Sequence, residues 1–282
     1  ISEQAFFLAK IFAKLGILVD VDNVRASDIL EAQPLFNIDV CAPLIGATGQ
    51  FRRLAGAPHG LILAPQIDFL PTAEGALGRT CTTNQGGVMI AQHLAKLKYP
   101  KANFISFVLS LKKIDSDYLA AELYPKLAGV LKYYNLKISQ PEFRQAIAYA
   151  IEENKNLQER LAMKTAEYLE AAISQKRHIT IVCGREYILN PGIYDSHVGK
   201  LLKDKGVIAL PAYAFLSRLD KDFSYIYWRN PHDLVTKINA ITNKKLHTYL
   251  YHSRLKELIK TIETGQTDSS ISTVQISTFR CG

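Results

Sequence analysis

The sequence predicts an α/β protein made of two Rossmann/flavodoxin-like open parallel-sheet domains with a helical insert between them. In residues 1–112, short apolar runs of strand length alternate with helical patterns. Residues 113–176 are rich in Ala, Leu, Glu and Lys and have helical character throughout. The alternation of strands and helices then returns in residues 177–282. These three stretches are the predicted domains.

The chain opens with an amphipathic helical pattern. Apolar side chains recur at helical spacing over residues 3–15, and Gly16 is placed to end the helix. The run ILVDVDN, residues 17–23, predicts a short strand. Helix, glycine and strand form half of a βαβ unit, so the first strand of that unit is expected upstream. We therefore expect the chain to be a piece of a longer protein.

The remainder of the first domain repeats this alternation of helix and strand. The predicted helices are PLIGATGQFRRLAG, ended by Gly56, and QGGVMIAQHLAKLK. The predicted strands are GLILAP and FISFVLS, whose apolar character is typical of a buried parallel sheet.

The helices and strands of the insert and of the second domain are predicted from the same kinds of pattern. Ser139 and Pro141 are typical of a helix start, because proline is tolerated in the first turn. After the two long helices of the insert, the predicted strands are HITIVCG, VIALP and VQISTF. The predicted helices between them are YDSHVGKLLKDKG, stopped by Gly206, and residues 231–252.

Composition excludes some classes of protein. A hydrophobic content of 48% and a charged content of 21% are ordinary for a globular core. The sequence shows no apolar run of membrane-spanning length and no signal peptide. A net charge of +8 is compatible with nucleic acid, an anionic cofactor or an acidic partner. The lysines are scattered, however, and no dense basic tract carries interleaved aromatics, so we expect neither a nucleic-acid nor a membrane partner.

The four cysteines are far apart and form no C-x-x-C pair. A disulfide framework suits small secreted domains, so we expect reduced thiols in the cytoplasm. Cys41, Cys81 and Cys281 each follow an extended stretch, where ligands of open α/β sheets bind. Loop amides and helix N-termini at such places favour the thiolate form of cysteine. Cys183 lies within a predicted strand and is expected to be buried.

A single cysteine at a strand end is usually a packed small residue. Three cysteines that each follow an extended stretch are instead typical ligands of a soft metal centre of zinc or iron–sulfur type. A structural zinc site would require a fourth Cys or His and usually a paired local spacing, which the sequence does not show. Three ligands with one open position are the arrangement expected of a reactive site.

A succession of segments resembles the 2-hydroxyacyl-CoA dehydratase subunits, in particular their relatives among the CoA-substrate-specific enzyme activase-related proteins. The resemblance covers almost the whole chain and depends on the order and separation of several segments. They are DVCAPLIGATGQFRRL, GLILAPQIDF, RTCTTNQGGVMIAQHL, CGREYILNPGIYDSHVGKLLKDKGVIAL and VQISTFRCG.

The resemblance implies a cofactor and a reaction. Members bind a [4Fe–4S] cluster through three cysteines, and the matching positions are Cys41, Cys81 and Cys281. In the dehydratases an ATP-dependent activase supplies one low-potential electron, which passes through the cluster to a 2-hydroxyacyl-CoA thioester. The resulting ketyl radical expels the hydroxyl group. In GREY, Arg185 and Tyr187 match a family segment and are expected to line the substrate crevice. The alternative is a turn-forming loop whose arginine caps a helix.

The chain also departs from the family pattern. RTCTTNQGG lacks the proline that commonly follows the second cysteine, and Cys183 stands where an apolar residue is expected. Neither a P-loop nor the phosphate motifs of an actin-like ATPase are found, so the ATPase part of an activase is expected outside this sequence.

The leading hypothesis is therefore an iron–sulfur domain in ATP-driven electron transfer to a CoA thioester or a partner dehydratase. Whether the domain is itself an enzyme, of the lyase or reductase type, is left open. One alternative is a non-catalytic docking or scaffold domain of an activase, with its cysteines vestigial or holding zinc. Another is a CoA-binding α/β domain that uses helix N-termini for phosphate.

Overall fold

A computed structural model describes most of the chain, and its α/β class confirms the predicted one. The described residues are 3–58, 60–70, 78–189, 192–215 and 229–276. They form two compact units, the first within residues 1–71 and 78–154 and the second within 155–282 together with 72–77, which lie outside the described residues. In the described parts of the chain, no helix combines the length and the apolar character that crossing a membrane requires.

The first unit pairs two parallel strands with helices. In chain order its elements are α1 (Glu3–Lys14), α2 (Ala26–Ala32), α3 (Ala42–Gly56), β1 (Ile62–Phe69), α4 (Val88–Lys98), β2 (Phe104–Ser110), α5 (Ser116–Tyr133) and the first part of α6 (Gln140–Ser174). β1 and β2 run parallel from the pair Ile62 and Phe104 to the pair Ile67 and Leu109, with an irregularity before Phe69. The strands and helices predicted over residues 43–110 are confirmed.

Helices supply most of the core of the first unit. Ile11 of α1, Leu109 of β2, Leu123 of α5 and Ile147 of α6 are all fully buried in one apolar cluster. Burying side chains of this size is the main favourable term in forming the unit. Helix α6 begins as predicted, because the Ser139 amide donates to the Glu142 carboxylate at 2.7 Å in the capping arrangement.

The prediction of a strand at residues 17–23 is wrong, because these residues form no hydrogen-bonded ladder. Gly16 ends α1 at φ +76°, as predicted, but the chain that follows has no strand assignment. Its burial still alternates, with Ile17 buried and Leu18 97% exposed. The extended pattern is therefore present. The ladder is absent because no described strand lies beside the segment to accept and donate backbone hydrogen bonds.

The second unit holds a parallel sheet whose described strands are ordered β4, β3, β5. Its elements are the last part of α6, β3 (Ile179–Cys183), α7 (Glu186–Leu189), α8 (Val198–Asp204), β4 (Ile208–Pro211), α9 (Arg229–Thr242), α10 (Leu246–Tyr249), α11 (Ser253–Glu263) and β5 (Ile271–Gln275). All five residues of β3 are buried, as expected for a central parallel strand. The strands predicted as HITIVCG and VIALP are confirmed. The third, VQISTF, coincides with β5 only at Val274 and Gln275, because β5 begins earlier, at Ile271, and residues 277–279 lie outside the described residues.

The single helix predicted over residues 231–252 is wrong. The structure divides this stretch into α9 and α10 and adds α11 after it. Lys244 takes a left-handed conformation at φ +53°, which ends α9. His252, within the predicted helix, instead begins α11, and its ring accepts a hydrogen bond from the Leu255 amide.

The described sheets are short, with two strands in one unit and three in the other. The α/β class stands, and the Rossmann/flavodoxin-like arrangement stays a prediction, as do the predicted domain boundaries. Residues of α6 contribute to the apolar cores of both units.

Candidate functional site

Cys41 stands at the N-terminus of α3. Its backbone is extended, and its carbonyl accepts the amide of Leu44 at 2.9 Å, which begins the helix. Pro43 in the first turn fixes the local direction of the chain. The half-buried thiol therefore lies at the positive end of the dipole of a 15-residue helix.

Cys81 also precedes a helical turn, but the chain leading to it differs from that before Cys41. After β1, residues 78–80 return along the end of that strand, and the Thr80 amide donates to the carbonyl of Asp68 at 3.0 Å. Cys81 follows directly, and its carbonyl accepts the amide of Gln85 at 3.1 Å. A π-helical turn, Thr83–Gly87, then leads into α4. Such turns are rare and are frequent at functional sites.

The two cysteine-bearing turns lie against each other. The sulfur of Cys41 is 3.1 Å from the hydroxyl oxygen of Thr83, two residues beyond Cys81. Gly87 lies at this contact, and a β-carbon there would be 3.1 Å from a methyl group of Leu44 and 3.1 Å from the methyl group of Thr83. The structure thus brings Cys41 and the Cys81 turn together, although 40 positions separate the two cysteines in the sequence.

Polar groups also collect at the carboxyl edge of the first sheet. One carboxylate oxygen of Asp68, near the end of β1, and the hydroxyl of Ser110, at the end of β2, are buried and have no hydrogen-bond partner among the described residues. The guanidinium of Arg79 and the ammonium of Lys112 lie 4.9 and 4.2 Å from the ring centre of Phe69. Two acceptors and two cations therefore stand at the edge where open α/β sheets bind ligands.

The metal ligands implied by the resemblance are only partly described. Within the described ranges, no group of three or more His, Cys, Asp or Glu side chains is arranged to hold a metal ion. Cys281, the third expected ligand, lies outside the described residues. The described donors, two half-buried thiols at helix N-termini, are of the kind that iron–sulfur clusters use. The chemistry of the described donors therefore fits the cluster.

Cys183 is a core residue, as the sequence predicted. Its side chain is fully buried at the end of β3. Burial raises the pKa of its thiol from 9.0 to about 11, against a smaller opposite effect of the Lys237 charge. A thiol held neutral in this way is a poor nucleophile and a poor metal ligand.

Arg185 and Tyr187 lie just beyond Cys183 in the second unit. The carbonyl of Arg185 accepts the amide of Ile188 at 3.0 Å, so Arg185 begins the short helix α7. The ring of Tyr187 packs edge-on against Tyr194, with centroids 5.8 Å apart. Both side chains are half-buried. They stand at the carboxyl end of a strand, where the sequence predicted them, while Cys41 and Cys81 belong to the first unit.

Several polar residues of these regions escaped the sequence analysis. Thr83 and Asp68 lie in family-like segments and Ser110 ends a predicted strand, but none of the three was predicted as a site residue. The ion pair of Lys237 with Asp233, at 2.8 Å, was also missed, although the two residues are four apart on a predicted helix. The Lys237 side chain is only 4% exposed, whereas the side chain of Asp233 is 21% exposed.

A family model described as CoA enzyme activase uncharacterised domain (DUF2229) matches residues 1–214. The chain belongs to this family. The matched residues include Cys41, Cys81, Arg185 and Tyr187, and the match ends before Cys281. The searches of curated proteins and of solved structures gave no match to this chain.

Proposed function

We propose that this chain is an iron–sulfur domain resembling the 2-hydroxyacyl-CoA dehydratase subunits. It takes part in ATP-driven, low-potential electron transfer to a CoA thioester or a partner dehydratase. The observation that carries the proposal is the contact between Cys41 and Thr83, because it joins the turn of one candidate ligand to the turn of the other. Membership of the family described as CoA enzyme activase uncharacterised domain supports the link to CoA chemistry.

In this proposal Cys41, Cys81 and Cys281 bind a [4Fe–4S] cluster as thiolates. The N-terminal dipole of α3 stabilises negative charge on the Cys41 sulfur. Because a thiolate can only accept a hydrogen bond, the Thr83 hydroxyl, 3.1 Å from that sulfur, would donate to it and raise the reduction potential of a bound cluster. When bound, the cluster supplies one-electron transfer. Reduced thiol ligands require a reducing compartment, so the proposal places the chain in the cytoplasm.

The partners in this proposal are an ATP-dependent activase domain or subunit and a CoA thioester. Arg185 and Tyr187 are proposed to line the thioester crevice, because both follow the end of a parallel strand. The guanidinium group would bind a phosphate or carboxylate.

The test is iron and sulfide analysis of protein purified and reconstituted under strict anaerobiosis. We expect a brown protein with absorbance at about 400 nm and about four irons per chain. Single Ala variants of Cys41, Cys81 and Cys281 should each lose most of the iron. Cys183→Ala is the matched control, because that thiol is buried in the core, and it should keep the wild-type iron content. Circular dichroism of each variant checks that the fold persists.

Reconstituted protein that folds but holds no iron would contradict the proposal. Zinc retained by Cys41, Cys81 and Cys281 instead would indicate a scaffold domain of an activase. Wild-type iron content in the Cys41 variant would exclude this cysteine as a ligand.

A second candidate function is CoA binding without iron. The observation that favours it is the pair of cations, Arg79 and Lys112, at the carboxyl edge of the first sheet. Phosphates of CoA would interact with these charges and with the N-termini of α3 and α4. In metal-free protein, CoA should raise the melting temperature and pantetheine, which lacks the nucleotide phosphates, should not. Arg79→Ala should weaken the effect, while Arg144→Ala, on an exposed ion pair of α6, should leave it unchanged.

A further inference from the structure

An apolar groove runs along one edge of β1. It has a volume of about 400 Å³, and its floor includes Ala5, Leu8, Ala9 and Phe12 of α1. One wall is formed by Leu61 and the first residues of β1, up to Pro65, and the opposite wall is the extended segment 17–22. All these elements belong to the first unit.

The β1 wall presents backbone groups that no described residue pairs. Alternate residues of a parallel strand direct their N–H and C=O groups to opposite edges. The amide of Ile62 bonds to the carbonyl of Asn103, next to β2, at 2.9 Å. Leu61, Leu63 and the carbonyl of Pro65 therefore face the groove, where the described residues form no ladder with them. Farther along, the edge is closed, because the Thr80 hydroxyl donates to the carbonyl of Ile67.

The opposite wall is held in place by side chains. The amide of Gln50 donates to the carbonyl of Asp22 at 2.7 Å, and Arg53 forms an ion pair with the Asp22 carboxylate. Ile17 is buried and Leu18 is exposed, so the segment alternates as an edge strand does. The helix α3 thus fixes a strand-like segment across the groove from β1, with no described strand between them.

We propose that the groove receives one further β-strand of this same polypeptide, which precedes α1 and runs parallel to β1. Parallel strands of one sheet are joined almost without exception by right-handed crossovers, so we expect the connection from the added strand through α1 to segment 17–22 to be right-handed. The strand order of the first unit becomes segment 17–22, the added strand, β1, β2. The added strand is about five residues long, to match the edge from Leu61 to Pro65.

The lining also defines the composition of the occupant. Most side chains of the groove are apolar, and the small Ala5 and Ala9 leave space above α1. A strand buried on both faces is a nearly continuous apolar run of Val, Ile and Leu. Pro65 offers no N–H, so the added strand forms one bond fewer at that position.

The test compares two versions of the protein by hydrogen exchange, one of residues 1–282 and one expressed from the natural start codon of its gene. We expect the amides of Leu61 and Leu63 to exchange at least about 100-fold more slowly in the longer version. The amide of Ile62, which bonds to Asn103, should be protected in both and serves as the internal control. Equal exchange of Leu61 and Leu63 in the two versions would overturn the proposal.

A pair of variants in the longer version separates filling of the groove from general stabilisation. Ala9→Trp occupies the floor of the groove and should remove the protection of Leu61 and Leu63 while Ile62 stays protected. Ala13→Trp, at an exposed position in the last turn of α1, should leave the protection of Leu61, Leu63 and Ile62 unchanged. Protection that is unchanged by Ala9→Trp would overturn the proposal. So would protection in the 1–282 version that rises with protein concentration, because a second copy would then fill the groove.

Discussion

The cysteines of this chain show how position decides chemistry at the scale of a residue. Cys41 and Cys81 are half-buried at helix starts, whereas Cys183 is fully buried at the end of a central strand. Burial disfavours the charged thiolate, so the pKa of Cys183 rises to about 11. The same side chain is thus a potential ligand in one place and a small core residue in another.

Alkylation should separate these thiols. With iodoacetamide at about pH 8, Cys183 of the folded, metal-free protein should react at least about 100-fold more slowly than Cys41 and Cys81. Peptide mapping by mass spectrometry measures the three rates, and urea-unfolded protein is the control in which they should converge. Equal rates in the folded protein would mean that the end of β3 is open to solvent.

A second residue-scale prediction concerns Arg53. Its guanidinium binds the carboxylate of Asp28 through two contacts of 2.8 and 2.9 Å, and Asp28 is 1% exposed. Arg53→Gln would leave a buried carboxylate without a counter-charge. The free energy of unfolding, measured by urea titration, should therefore fall by about 3 kcal/mol. Arg52→Gln, which breaks only the more exposed pair with Glu31, should cost about 1 kcal/mol or less.

The Arg53 effect should depend on pH. Burial alone would raise the pKa of Asp22, but the hydrogen bond and charge of Arg53, with smaller contributions from Asn23 and Arg25, hold it below its ordinary 3.8. A carboxyl with a lowered pKa stabilises the fold fully above its ordinary pKa and loses that contribution as pH falls. The stability difference between wild type and Arg53→Gln should therefore shrink below about pH 4. A difference that is constant from pH 7 to pH 3 would contradict this account.

At the scale of elements, the first unit depends on a very close approach between α2 and α3. A β-carbon built on Gly49 would lie 1.9 Å from the backbone carbonyl oxygen of Asp28, so backbone must move to admit any side chain. Gly49→Ala should destabilise the protein by about 2 kcal/mol, measured by urea unfolding. Gly199→Ala in α8 meets open space and should be neutral or slightly stabilising. Equal stability of the two variants would show that α2 and α3 separate easily.

The elements themselves were largely predictable from local pattern. The strands around residues 62–69 and 104–110 and the helix α3 follow from apolar runs and punctuating glycines. The helix break at Lys244 was not predictable, because lysine carries no signal for a left-handed conformation. The strand predicted at 17–23 failed for a different reason, since a strand is completed by its neighbour and not by its own sequence.

At the scale of the whole molecule, the described residues form two units with separate apolar cores. Leu123 is fully buried in the first core and Leu169 in the second. Each Leu→Ala change should cost about 2–5 kcal/mol through the cavity it leaves. Hydrogen exchange should accelerate in β2 for Leu123→Ala and in β3 for Leu169→Ala. Equal acceleration of both strands by either variant would show that the two cores unfold as one.

The sequence by itself determined the α/β class, most strands and helices, the buried state of Cys183 and the candidate residues Cys41, Cys81, Arg185 and Tyr187. These follow from periodicity and residue chemistry, which are local, or from the order of family-like segments. Only the tertiary structure decided that the Cys41 sulfur meets Thr83, that Asp28 is buried against Arg53, and that a groove lies between β1 and segment 17–22. Contacts between residues distant in the chain depend on packing of the entire unit, and no local pattern contains that information.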